Sequence, residues 1–124
     1  MTADVLKLIS DRLAAAGINY EFGEWNSDIV YPYFVGEYSE PEPITEDGLQ
    51  EADFTLNGFS RSSWLVLETA KQTIEQTFSN CTLILDNGSG VDVSYGGSLI
   101  IPTGDAELKR IQISLKIKEW KVNV

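Results

Sequence analysis

The chain has 124 residues, 43% of them hydrophobic, with 19 acidic and 9 basic side chains and a net charge of −10. That size and apolar content suit one folded domain and argue against disorder. The charge balance disfavours direct binding to nucleic acid, because phosphates must meet Lys and Arg. The absence of His excludes Ser-His-Asp and Cys-His catalysis and most zinc sites, so neither a catalytic group nor a cofactor is expected.

In chain order, residues 2–16 read as a helix, with Thr2 as the cap, Asp4 in the first turn and Gly17 as the stop. Val5, Ile9 and Leu13 form one apolar stripe suited to lying on a sheet. Residues 18–28 read as a short strand and a turn. Residues 29–38 are rich in β-branched and aromatic side chains and predict a strand, with Pro32 marking an edge or its first residues. Residues 39–50 are an acidic, Pro-containing loop. From Glu37 to Asp53 there are seven carboxylates and no Lys or Arg, a run that ordinarily stays solvated.

Residues 51–61 alternate as a strand, with Ala52, Phe54 and Leu56 on one face and Gly58 predicted as a bulge. A second helix follows over 63–78, with Trp64, Leu67, Ile74 and Phe78 at helical spacing toward the core. Cys81 sits in an apolar run as a small hydrophobe, and as the lone cysteine it allows no intrachain disulfide. Asn87-Gly88 signals a hairpin between strands at 81–86 and 91–95, and residues 98–101 make a further strand. The last strand, 107–124, directs Ile111, Ile113, Leu115 and Ile117 one way. Trp120 and Val122 lie on the other face, which predicts a bulge near Lys118 or a strand leaving its own sheet. The fold class expected is α+β, one domain over 1–124 with two helices packed on one mainly antiparallel β-sheet. No stretch approaches the roughly 18 apolar residues of a membrane span, and no basic, apolar leader is visible.

Few motifs carry chemistry. Asp86 and Asp92 bracket a Gly-rich turn that faintly resembles a calcium loop, without the distal Glu such loops use. The carboxylates of 37–53 offer no spacing that singles out an acid–base pair. Five of the nine basic residues are Lys109, Arg110, Lys116, Lys118 and Lys121. They are either the solvated face of an edge strand protected by lysine, or a basic strip that meets the acidic stretch of a neighbouring copy. The second reading makes Glu40, Glu42, Glu46, Asp47, Lys116, Lys118, Trp120 and Lys121 candidate subunit-interface residues.

One layout of motifs resembles a known family. A strand entered through Tyr31-Pro32-Tyr33-Phe34-Val35, a polar loop, and a strand running through Phe54-Thr55-Leu56-Asn57-Gly58-Phe59 into the Ser-rich helix start Ser60-Arg61-Ser62-Ser63 is similar to the small tail-completion and tail-terminator proteins of long-tailed bacteriophages and prophages. That resemblance implies a non-enzymatic structural protein of the virion tail, assembled in the host cytoplasm. It implies a ring, commonly of about six copies (a hexamer), that caps the tail tube. The partners implied are further copies of the chain, the tail-tube protein and the head–tail connector protein, with DNA passing an acidic lumen and no membrane involved. An alternative partner class also fits a small acidic domain: a basic enzyme blocked by an immunity-type inhibitor or DNA mimic.

Overall fold

A computed structural model describes residues 2–40 and 48–121. The elements run α1 (Ala3–Ala15), β1 (Tyr20–Phe22), β2 (Tyr33–Ser39), β3 (Leu49–Ser60), α2 (Trp64–Thr77), β4 (Cys81–Ile84), β5 (Gly90–Ile101) and β6 (Lys109–Trp120). The strands form one mixed six-stranded sheet in the order β1-β2-β3-β6-β5-β4, curled as a half-barrel. β1 pairs with β2 in parallel; the other four pairings are antiparallel.

The alternation of β3 and β6 decides which face carries the core. Ala52, Phe54 and Leu56 on β3 and Ile111, Ile113, Leu115 and Ile117 on β6 are all buried. Val5, Ile9 and Leu13 of α1, and Leu67, Ala70 and Ile74 of α2, complete the same cluster with Phe34, Phe78, Cys81, Val91 and Val93. Each fully buried aliphatic side chain of this kind contributes roughly 1.5–3 kcal/mol. Leu83 and Leu85 pack against it partly buried. Gly17 ends α1 with φ +78, a left-handed conformation that a β-carbon would strain.

Several expectations are corrected. β2 begins at Tyr33, since Pro32 has no N–H to give a ladder and pairing with β3 starts at Tyr33–Phe59; Ile29 and Val30 lie outside it, exposed. The second and third strands expected in the last third are one strand, β5, with a register shift between Tyr95 and Ser98. Gly58 makes no bulge, for it keeps register with both Phe34 and Ile111. It is a glycine because the Phe34 ring lies against it: a β-carbon there would stand 2.3 Å from Phe34 Cε1. Trp64 is 38% exposed rather than core, as the first residue of α2, where the buried stripe runs out. Neither Thr2 nor Ser63 caps its helix through a side-chain hydrogen bond.

β6 is a central strand flanked by β3 and β5, so its lysines do not protect an edge. It carries no bulge near Lys118 either: Trp120 stays in register with Leu49 on one side and Gly90 on the other. The apparent switch of its apolar side has another cause. Glu119 continues the inward row at 1% exposure, and its carboxylate accepts hydrogen bonds from Thr2 N (3.3 Å) and Thr2 Oγ1 (2.9 Å). The last inward position of β6 thus anchors the start of α1, where a carboxylate also suits the helix dipole.

Candidate assembly interface

The helices cover one face of the sheet and leave the other to the outward side chains of β2, β3, β5 and β6. Along β6 these are Arg110, Gln112, Ser114, Lys116, Lys118 and Trp120, the set opposite the buried row. The outer face divides into a charged end and an aromatic end.

At the charged end, Lys116 Nζ donates to Asp53 Oδ1 at 2.6 Å. Lys118 lies directly across from Glu51 on β3 and Asp92 on β5. A depression lined by Glu51, Ala52, Asp53, Lys116, Ile117 and Lys118 opens there, with a volume of about 310 Å³. On the inner side of that end, Lys121 Nζ donates to the buried Gln50 Oε1 at 2.8 Å and its backbone N–H to Gly48 O at 3.0 Å. Trp120 packs over Gly90, where a β-carbon would stand 3.6 Å from Trp120 Cε3, and remains 40% exposed.

The predicted interface residues therefore gather only in part. Lys116, Lys118, Trp120 and Lys121 share one end of the sheet. Ser39, Asp53, Lys116 and Ser94 stand in one cross-strand row, so Glu40 enters the acidic stretch at that same end. Glu42, Glu46 and Asp47 lie outside the described residues. The acidic and basic groups of one copy are neighbours, and Lys116 already spends its charge on Asp53. Such exposed pairs are worth roughly 0–1 kcal/mol each and are screened by salt.

At the other end lies an aromatic cluster that was not singled out as a site from the sequence. Tyr33 stacks on Phe59 with centroids 5.1 Å apart, Trp25 meets Tyr33 at 4.9 Å, and Tyr31 meets Tyr33 at 5.5 Å. Arg61 lies over Tyr31 at 5.9 Å and donates from Nε to its hydroxyl at 3.2 Å; Arg110 lies over Phe59 at 5.6 Å. Arg110 also donates to Asn57 Oδ1 at 2.8 Å, while its Nε is buried without a partner. Arg61 reaches Asp105 in the β5–β6 connection at 3.6 Å. Burial pushes the Tyr33 phenol up, with Tyr31 adding to the shift and Arg61 opposing it. The signal was present in the alternation, since Phe59 and Arg110 are outward positions of their strands. Their meeting with residues 25–33 needed the sheet order.

Asp86 and Asp92 do not converge on an ion site. Asp92 Oδ1 accepts from Thr82 Oγ1 at 2.6 Å, and Asn87 Nδ2 donates across to Asp4 Oδ2 at 3.1 Å. Among the described residues no group of three or more His, Cys, Asp or Glu side chains is placed to hold a metal.

No family model and no curated protein matches the chain. Solved structures do. One is a chain from the virion of a native gene transfer agent particle, at 12% identity and a TM-score of 0.76, over 98% of this chain and 100% of that one. A second matches at 14% identity and a TM-score of 0.65, over 100% of this chain and 99% of that one. At these identities the likeness is one of fold, and it runs the whole length of each chain.

Proposed function

We propose that this chain is a non-enzymatic structural protein of a phage-like virion, and more narrowly a tail-completion or tail-terminator protein that forms a ring on the tail tube. The observation that carries the reading is the end-to-end likeness of fold to a chain of a gene transfer agent virion. An acidic molecule suits a ring through which DNA passes, because like charge disfavours adhesion of a polyanion. Self-association would use the charged end of the sheet, with Lys116, Lys118 and Lys121 facing the acidic stretch of an adjoining copy. Such charges set orientation and encounter rate more than affinity.

The test is assembly mass by light scattering, alone and with purified tail-tube ends. A closed ring of fixed copy number, formed or stabilised by tube ends, is the expected result. A monomer that ignores tube ends and instead binds a basic enzyme tightly as a one-to-one complex would overturn the reading in favour of an inhibitor.

A further inference from the structure

The sheet has two open edges. β4 pairs only with Gly90–Val93 of β5, so residues 94–101 have no strand beyond them among the described residues. β1 ends at Phe22, opposite Gly36, so residues 37–39 of β2 are likewise uncovered by a strand. Natural edges are blunted by lysine, proline or shortness. Residues 94–101 contain no lysine or proline, and past the register shift between Tyr95 and Ser98 the run Ser-Leu-Ile-Ile is regular and uncharged, with Leu99 62% and Ile100 53% exposed.

We infer that residues 98–101 of one copy pair with the open β2 edge of the next copy, extending one sheet into the other around the ring. This rests on the self-assembly reading above. Two observations favour a second copy as the occupant. The first is polarity. From β2 to β5 the sheet passes three antiparallel steps, so β5 runs antiparallel to β2. Two copies related by rotation about a ring axis, with neither inverted, would bring these strands together as an antiparallel pair. The contact is head-to-tail and closes by rotation.

The second is the match of faces. Ile100 lies opposite Ile111 and so stands on the helix-covered face. Phe22 and Tyr38, both more than 40% exposed, stack on each other at 6.0 Å on that same face at the far edge. Joining the edges with Ile100 level with Tyr38, a stagger of the four β2 residues from Phe34 to Tyr38, places apolar side chains against apolar side chains on the helix-covered face.

Hydrogen exchange read by mass spectrometry on the full chain, dilute and at a concentration where the mass shows rings, tests the pairing. Amides in 98–101 and in 37–39 should slow together, by roughly tenfold or more, with the rest of the sheet unchanged. The double variant Leu99→Lys/Ile100→Lys, at exposed positions, should stay monomeric with an unaltered unfolding midpoint. Rings in which both edges exchange as in the monomer would overturn the edge pairing and leave the assembly reading standing. Protection of 98–101 alone would mean two-fold pairing of β5 with itself and would also overturn it. Failure to associate at any concentration or on tube ends would remove the assembly reading and this inference together.

Discussion

The two faces of β6 obey one alternation and two different kinds of physics. Inward, Ile111, Ile113, Leu115 and Ile117 are held by exclusion from water, and the row ends at Glu119, whose buried carboxylate holds Thr2. Outward, Arg110, Lys116 and Lys118 are placed by the same backbone, yet each is defined by neighbours on β3 and β5. The inner face carries stability because hydrophobic burial is non-directional and cumulative. The outer face carries little stability and most of the specificity, since its groups act one pair at a time at the water boundary.

Truncation of the inner face should break this contrast most severely. Ile113→Ala should destabilise by about 2–5 kcal/mol in urea unfolding, because the cavity lies at the centre of the sheet and cannot collapse. A cost below about 1 kcal/mol would mean the core is looser than its burial implies.

Gly58→Ala should cost about 1–3 kcal/mol by overpacking against the Phe34 ring. Pairing it with Phe34→Leu should recover part of the loss, which a double-mutant cycle measures directly. Glu119→Ala should cost a comparable 1–3 kcal/mol, roughly, by stripping two hydrogen bonds from the start of α1. Its signature is faster amide exchange in the first turn of α1.

A pH titration sharpens the comparison at the β1 edge. Burial against Phe54 pushes the Tyr20 phenol up to about 12 from an ordinary value of 10.0. The folded state therefore holds that proton more tightly than the unfolded chain does. This contribution is fully present below pH 10 and is lost as pH rises from 10 toward 12. Tyr20→Phe should flatten that part of the stability curve; an unchanged slope would assign it to other groups. The smallest effect belongs to the outer face: Lys116→Gln should change stability by no more than about 1 kcal/mol, and less in high salt, while slowing ring assembly at low ionic strength.

The stripe of Val5, Ile9 and Leu13, the alternation of 52–56 and 111–117, and the stop at Gly17 were legible in the sequence. Each is local: a period of 3.6 or 2 read against burial. For the same reason both helices and most strand spans were within reach of the residues alone.

What the sequence left open is who stands next to whom. Lys116 and Asp53 lie 63 positions apart, and only the strand order makes them partners. That order also turns the lysines of β6 from an edge guard into the middle of a sheet, and makes Gly58 a seat for Phe34 instead of a bulge. It explains Glu119, whose charge looks like a change of face until α1 is seen to begin above it. The sequence by itself determined which side of each element faces water, because burial depends on periodicity along one chain. Only the tertiary structure decided the pairings and the open edges at 37–39 and 94–101, because those depend on which strands the fold leaves without a neighbour among the described residues.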